Sequence, residues 1–178
     1  MTGSEHLAWG DLDILESWMD KHAESGDQVV EVACGENVIV PHVLGKLGRG
    51  FTYIAVDTNA DCLRGQQRQR SRDLHCIQAN SCKLPLRTSS ADLVVFHHAI
   101  DDILETCGPS GVYDSIGEAL RVVRPGGYMI FSHCFIEHDP YTSEISLEDV
   151  EEMLEEFGQA NYNRRRARHQ DWLFLEVE

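Results

Sequence analysis

The stretch VVEVACGEN, residues 29–37, decides the fold that we expect for this chain. Its first five residues are mostly β-branched and apolar, which is typical of a strand buried on both faces. The next four are small or turn-forming, and the segment VIVPHVLGKLG that follows (38–48) predicts a helix with Pro41 near its start. A strand, a tight turn and a helix in this order form the first half of a parallel βαβ unit.

The same alternation continues on both sides of this stretch. A helix is predicted over 11–23, before the first strand, and the later helices over 59–72, 113–123 and 146–158, the last with Ser146 and Gly158 as its caps. Further strands are predicted over 51–56, 74–79, 91–98 and 128–135. Two final runs, 162–167 and 171–177, predict an antiparallel hairpin. We therefore expect an α/β fold with a doubly wound, seven-stranded, mostly parallel, Rossmann-like sheet and a C-terminal antiparallel hairpin, in a single domain spanning 1–178.

Composition and charge narrow the classes of function. The 178 residues carry a formal net charge of −15, which disfavours binding to phosphate backbones and to anionic lipids. No apolar run approaches the roughly 20 residues that span a bilayer, and the first residues lack the pattern of a signal peptide. The six cysteines form no CxxC pair, so free thiols are expected. These features predict a cytoplasmic protein that binds neither nucleic acid nor membrane.

A loop of small residues and one acidic position point to a nucleoside-containing cofactor. In a doubly wound sheet the ligand lies beyond the carboxyl ends of the strands, at the switch point beside the first strand. The small residues after that strand let backbone amides approach a ligand. Asp57 follows the second strand, where a carboxylate can accept both hydroxyls of a ribose. This leaves a dinucleotide or S-adenosylmethionine as the cofactor, and a nicotinamide-dependent oxidoreductase as one alternative function.

Three later segments distinguish between the two possible cofactors. They are NSCKLP (80–85), ADLVV (91–95) and, most specifically, LRVVRPGGYMIF (120–131). In this order they closely resemble the successive motifs of class I S-adenosylmethionine-dependent methyltransferases, and the resemblance extends roughly from residue 11 to the end of the chain. It implies methyl transfer from S-adenosylmethionine to an acceptor. The nicotinamide reading does not explain the RPGG segment.

The resemblance also assigns cofactor-binding residues. It implies that Glu31 organises the methionine ammonium, that Asp57 binds the ribose, and that Asn80 faces the adenine amine. The full set of cofactor-binding residues that it implies is Glu31, Ala33, Cys34, Gly35, Asp57, Thr58, Asn80, Ser81, Phe96 and His97. Two residues depart from the family pattern, since Ala33 and Asn37 stand where the first and third glycines of the loop would be. Asn tolerates a left-handed backbone, whereas Ala adds a methyl group near the ribose.

The residues expected to act on the acceptor follow the fourth and fifth strands. Methyl transfer depends mainly on alignment, so a general base is optional. We predict His98 or His133 as that base and Asp101 as a group that could bind a cationic acceptor. The alternative is that His97 is a buried, hydrogen-bonded residue and that Asp101 and Asp102 only cap a turn. No metal is expected, because adjacent histidines on a strand point to opposite faces.

The type of acceptor is less constrained. The run RRRAR (164–168) is the one dense basic patch and could suggest RNA, but ion pairing with the acidic helix before it is the favoured interpretation. We expect a small-molecule acceptor under a small lid built from the first dozen residues, 101–111 and 135–145. A homodimer, an RNA or protein acceptor, and a non-catalytic partner protein with the same fold stay open.

Overall fold

The computed structural model describes residues 12–36, 39–67, 73–134, 145–166 and 170–178. The helices are α1 (Leu12–His22), α2 (Ile39–Leu47), α3 (Ala60–Gln67), α4 (Ala99–Val122) and α5 (Leu147–Glu156). The strands are β1 (Gln28–Val32), β2 (Thr52–Asp57), β3 (Leu74–Gln78), β4 (Ala91–His97), β5 (Val123–Cys134), β6 (Tyr162–Arg166) and β7 (Gln170–Glu176). A short 3₁₀ turn, Ser81–Lys83, follows β3.

The strands form one seven-stranded sheet in the order β3-β2-β1-β4-β5-β7-β6. The first five strands of the chain are parallel, and β7 pairs antiparallel with both β5 and β6. The expected mostly parallel sheet with its closing hairpin is therefore confirmed. The chain order reverses between β1 and β4, so their carboxyl ends border the crevice in which such sheets bind ligands.

Each face of the sheet buries a separate apolar cluster. On one face α4 and α5 pack over alternate residues of β1, β4, β5 and β7, among them Val30, Val94 and Met129. On the other face α1 and α2 cover the intervening residues, including Val29 and Val95, with Trp18 in the middle of α1. Since neighbouring strand residues point to opposite faces, the continuous apolar strands of the sequence supply both clusters at once.

Helix α4 begins much earlier than the sequence pattern predicted. A helix was expected over 113–123, with 101–111 in a lid, but the helix runs from Ala99 and is broken only at Gly108 (φ 71°, ψ −178°). The sequence pattern did not predict the first half of this helix, because Gly108 and Pro109 are residues that normally end a helix. Residues 101–111 therefore form a helix with one break, and their contribution to a lid stays a prediction. The other two lid segments lie outside the described residues, apart from one residue at the end of each.

Strand β5 also begins earlier than expected, at Val123, and contains the RPGG segment. Gly126 has a φ of +73°, which favours glycine. At Gly127 an added Cβ would lie 2.8 Å from the carbonyl oxygen of Asp92 on β4, so no side chain fits there. The two glycines thus permit the turn into β5 and the close approach of the two strands.

The N-cap of the last helix agrees with the sequence, whereas the C-cap is Phe157 and not the expected Gly158. The Ser146 hydroxyl accepts a hydrogen bond from the Asp149 N–H, and the Asp149 side chain accepts one from the Ser146 N–H, which together form a capping box. Gly158, with a φ of +77°, follows the helix end at Phe157. No helix in the described part of the chain is long and apolar enough to cross a membrane.

Candidate active site

The loop after β1 is held against the end of β2 by the carboxylate of Asp57. The Gly35 N–H donates to its Oδ2 at 2.8 Å, and the Asn59 N–H donates to its Oδ1 at 2.7 Å. The Cys34 N–H donates to the carbonyl oxygen of Val56 at 3.1 Å. A carboxylate oxygen can accept a second hydrogen bond. Asp57 can therefore shape the loop and still accept ribose hydroxyls.

The backbone of this loop has the conformation that glycine prefers. Ala33 has a φ of +51° and Gly35 a φ of +55°. A left-handed backbone costs a residue with a Cβ roughly 1–2 kcal/mol, so the alanine at the first glycine position is strained. Nothing lies within 4 Å of the position of a Cβ on Gly35, which faces open space. Asn37, the other departure from the family pattern, lies outside the described residues.

A cleft of about 270 Å³ opens at the carboxyl ends of β1, β2 and β3. Six of the predicted cofactor-binding residues line it: Ala33, Gly35, Asp57, Thr58, Asn80 and Ser81. Its volume is close to the lower end of the roughly 300–1,000 Å³ that is usual for ligand pockets. The three loops that sequence reasoning selected thus meet around one space.

Sequence reasoning missed the opposite wall of this cleft. The additional lining residues are Asn59, Cys62, Ala79, Asp102, Ile103, Glu105, Thr106 and Cys107. The last five lie on one side of the first half of α4, at spacings of three and four residues. This spacing could have identified the wall of the cleft, but only if residues 99–107 had been recognised as a helix.

Asn80 lies at the start of the 3₁₀ turn and closes one end of the cleft. Its Oδ1 accepts a hydrogen bond from the Cys82 N–H at 2.8 Å, and its Nδ2 lies 3.9 Å from the Cys107 sulfur. The side chain is exposed, so its amide can still meet a ligand. Ser81 is buried behind it and accepts a hydrogen bond from the Ser115 hydroxyl.

Glu31 lies in β1, below the cleft, and is not among the residues that line it. It is fully buried, and its Oε2 accepts a hydrogen bond from the Tyr53 hydroxyl of β2. Its Oε1 has no hydrogen-bond partner among the described residues. Burial, opposed by the Tyr53 hydrogen bond, raises the pKa of Glu31 from 4.5 to about 8. The Glu31 carboxyl group is therefore mostly protonated at neutral pH in the folded protein.

Three other predicted cofactor-binding residues also lie outside the cleft lining. Cys34 is buried in the cluster under α1 and α2. Phe96 is fully buried, and its ring stacks on that of Phe131 at 4.9 Å. His97 is buried, with its Nδ1 2.6 Å from the Ser132 hydroxyl and its ring stacked on Trp172. The structure brings these side chains into the core, which leaves their backbone atoms as the groups that could face a ligand.

The three residues predicted to act on the acceptor meet at a second place, beyond the ends of β4 and β5. His98 caps the start of α4 in a left-handed conformation (φ 54°), and Asp101 follows in the first turn. His133, near the end of β5, has its Nδ1 3.6 Å from Asp101 Oδ2. The Gln170 amide at the start of β7 lies 3.0 Å from His98 Nε2. Asp101 therefore contacts a histidine, in addition to its place in the first helical turn.

The titration of the histidines depends on this packing. Burial lowers the pKa of His98 to about 4, with a further contribution from His133, while Asp101 acts in the opposite direction. Burial and the neighbouring His98 lower the pKa of His97 to about 3. Both rings are therefore neutral at physiological pH. Among the described residues, no group of three or more His, Cys, Asp or Glu side chains is arranged to hold a metal ion.

Comparison with known proteins agrees with the fold and with the expected cofactor. A sequence model of the methyltransferase-domain family matches residues 30–131, more than half of the chain. No curated protein matches this chain in sequence. An S-adenosylmethionine-dependent methyltransferase from Aquifex aeolicus superposes with a TM-score of 0.71 at 15% identity, over 100% of both chains.

Two further solved structures are similar to this chain in fold. A methyltransferase from Methanosarcina mazei has a TM-score of 0.67 at 15% identity, over 89% of this chain and 96% of that one. A chain from the complex between the Haloferax volcanii Trm112 methyltransferase activator and a methyltransferase has a TM-score of 0.71 at 14% identity, over 98% and 96%. The chain described here belongs to the methyltransferase-domain family. It is an S-adenosylmethionine-dependent methyltransferase.

The cleft fits this cofactor in its donor and acceptor groups. Asp57 offers carboxylate oxygens to a ribose, and the Asn80 amide can both accept and donate a hydrogen bond. The acidic residues that line the cleft are Asp57, Asp102 and Glu105, and no Lys, Arg or His is among its described lining residues. Desolvation, together with the negative charges of Asp101, Asp57 and Glu105, raises the pKa of Asp102. Such a lining favours a ligand with a positive charge, which the sulfonium of S-adenosylmethionine carries.

Proposed function

We propose that the protein transfers the methyl group of S-adenosylmethionine to a small-molecule acceptor in the cytoplasm. The acceptor would bind beside His98, Asp101 and His133, where the ends of β4 and β5 meet the start of α4. The observation that carries this proposal is the approach of His133 Nδ1 to Asp101 Oδ2 at 3.6 Å, beside His98. A histidine paired with a carboxylate is a common arrangement for taking a proton from a nucleophile.

The two histidines have different roles in this proposal. His98 Nε2 faces the amide of Gln170, which donates a hydrogen bond to it, so the ring proton of a neutral His98 lies on Nδ1. His98 would therefore donate a hydrogen bond from Nδ1 rather than accept a proton at Nε2. At His133 the carboxylate of Asp101 favours a proton on Nδ1, which leaves the lone pair on Nε2. His133 is then the base and Asp101 the residue that orients it.

The sulfonium of the bound cofactor supplies an electrophilic methyl group, so the chain has little covalent chemistry of its own to perform. Its contribution is to hold the acceptor in line with the methyl group, to exclude water and to remove a proton. His133 is 7% exposed, so a proton transferred to it is shielded from bulk solvent.

The basic run at β6 supports a small molecule over RNA. Arg164 contacts Glu148 at 2.6 Å and the buried Asp171 at 2.5 Å. Arg166 lies 3.6 Å from Asp171, and Arg165 lies over the ring of Phe174 at 5.6 Å. Of the three arginines of this run that the structure describes, two are thus matched by carboxylates within the chain. A phosphate backbone would have to compete with these ion pairs against a net charge of −15.

An acceptor screen tests the proposal. The purified protein is incubated with S-adenosylmethionine and sets of phenols, amines, imidazoles and carboxylates, and release of S-adenosylhomocysteine is measured. With an accepted substrate, His133→Gln should lower kcat by about 10²–10⁴-fold, the usual contribution of a general base, while cofactor affinity measured by calorimetry stays within about two-fold. His75→Gln is the matched control, because His75 is exposed on β3, away from both sites.

The other functions give different results in the same assays. Methylation of an RNA or protein fraction, with no turnover of any small molecule, would overturn the choice of acceptor. Absence of measurable binding of either S-adenosylmethionine or S-adenosylhomocysteine would favour a non-catalytic partner protein. An unchanged kcat in His133→Gln would remove this residue as the base.

A further inference from the structure

Two cysteines from separate elements meet at one end of the cofactor cleft. Cys82 lies in the 3₁₀ turn after β3, and Cys107 is the last residue of α4 before its break at Gly108. Both are free and half-buried, and Cys107 lines the cleft. The two sulfurs flank the same point, each 3.7 Å from where a Cβ on Gly111 would lie, and Asn80 Nδ2 lies 3.9 Å from the Cys107 sulfur. The pair is therefore in direct contact with the residue placed opposite the adenine.

The absence of a side chain at Gly111 allows the two thiols to meet. A Cβ on Gly111 would lie 3.7 Å from each sulfur and 2.2 Å from the Cβ of Cys107. Cys82 Sγ is held in this space by the Gly111 carbonyl oxygen at 3.4 Å and by the Ser115 hydroxyl at 3.6 Å. Any larger residue at 111 would separate the pair. This arrangement is specific to these positions, since Cys76 on β3 instead points at the Leu63 carbonyl.

We propose that Cys82 and Cys107 form an oxidative modification site, at which hydrogen peroxide converts the two thiols into a disulfide that lowers the affinity of the cleft for the cofactor. Burial and the Cys82 thiol raise the pKa of Cys107, which disfavours Cys107 as the first nucleophile. The Cys82 thiolate attacks one peroxide oxygen, which gives a sulfenic acid. The Cys107 sulfur then displaces the hydroxyl group from Cys82 and loses its proton. Two thiols and one peroxide become one disulfide and two waters.

The disulfide would act on the cleft through Asn80 and α4. It would covalently join the 3₁₀ turn to the end of the first half of α4, which are separate walls of the cleft. It would also remove the Cys107 thiol as a neighbour of the Asn80 amide. Because binding and oxidation then favour different arrangements of these residues, a bound cofactor should shift the thiol–disulfide equilibrium toward the thiols by the same free energy that weakens binding to the oxidised form.

The test uses the full chain, treated with hydrogen peroxide and digested under non-reducing conditions. Peptide mass spectrometry should show a Cys82–Cys107 disulfide in the natural protein and in Cys76→Ser, and no such peptide in Cys82→Ser or Cys107→Ser. Calorimetry should show that peroxide weakens S-adenosylhomocysteine binding at least about five-fold, reversibly with dithiothreitol. In either serine variant at the pair, peroxide should leave the dissociation constant of that variant unchanged.

The readouts also separate this inference from the proposed function. The disulfide is detected without any methyl acceptor, so a failed acceptor screen has no bearing on it. Peroxide that pairs other cysteines, or that only converts single cysteines to sulfinic acid, would overturn the modification site. A disulfide at the pair with unchanged S-adenosylhomocysteine affinity would overturn its effect on the cleft.

Discussion

The two halves of the carboxyl edge of the sheet are built in different ways. At the ends of β1, β2 and β3, loops that follow their own strands line an open cleft, and Asp57 holds the neighbouring loop through the Gly35 N–H. At the ends of β4 and β5, the polar groups come from segments far apart in the chain. His98 meets Gln170 across 72 positions, and both His98 and His133 are largely buried.

This difference follows from the topology of the sheet. We call the edge at β1, β2 and β3 the cofactor half and the edge at β4 and β5 the acceptor half, after the ligands proposed for them. The loop that follows a parallel strand lies at the carboxyl edge, so the cofactor half depends on short segments. The antiparallel strand β7 runs the other way and brings its first residues to the same edge, where Gln170 is paired with Cys134 and Asp171 with His133. The cofactor half can therefore be altered one loop at a time, whereas the acceptor half depends on the pairing of β5 with β7.

The largest expected effect concerns Glu31, the one predicted cofactor-half residue that is fully buried. The unfolded chain releases this proton near pH 4.5, while the folded protein keeps it to about pH 8. Wild-type stability should therefore fall as pH rises through this window, by about 1.4 kcal/mol per pH unit, and Glu31→Gln lacks this loss. The difference in unfolding free energy, Glu31→Gln minus wild type, should grow by about 3 kcal/mol between pH 5 and 8 in urea titrations.

The histidine contributions cancel in this difference, because both proteins contain His97 and His98. Their lowered pKa values destabilise the folded protein as pH falls below about 6.5, in wild type and variant alike. Glu36→Gln, at an exposed acid in the same loop, serves as the control substitution. A flat difference for Glu31→Gln would mean that Glu31 is ionised in the folded protein.

The second prediction separates the two halves by cofactor affinity. Asp57→Ala removes the acceptor of the Gly35 and Asn59 N–H groups as well as the proposed ribose contact, so S-adenosylhomocysteine binding should weaken by about 1–3 kcal/mol. Asp101→Asn, in the acceptor half, should change this affinity by less than about 0.5 kcal/mol. Calorimetry on the two variants measures both values. Equal losses in the two variants would mean that the halves form one site rather than two adjoining ones.

The same contrast explains what could be predicted from the sequence. The order of helices and strands, the closing hairpin and the meeting of the loops that carry Ala33, Asp57 and Asn80 follow from local patterns, since each loop is adjacent to its own strand. The α4 wall was missed because Gly108-Pro109 interrupts the helical pattern. Gln170 could not be predicted as a partner of His98, because nothing local in either segment specifies contact across 72 positions.

The smallest effect tests the backbone of the cofactor loop. Ala33 and Gly35 have nearly the same left-handed φ, +51° and +55°, so opposite substitutions should have opposite signs. Ala33→Gly relieves strain of roughly 1–2 kcal/mol but gives the unfolded chain more freedom, worth about 0.5–1 kcal/mol, and a net gain of about 0.5 kcal/mol is expected. Gly35→Ala imposes that strain and restricts the unfolded chain, so it should cost about 0.5 kcal/mol, because no neighbouring atom opposes its Cβ.

Urea unfolding of the two variants, without ligand, measures both values. The alanine methyl also packs against the cluster beneath α4, so losing this contact could only reduce the gain from Ala33→Gly. The sign of Gly35→Ala carries no such correction, since its site is open. If both substitutions destabilise the protein, packing of the methyl group outweighs backbone strain at position 33. The alanine there would then stabilise the fold through its contacts.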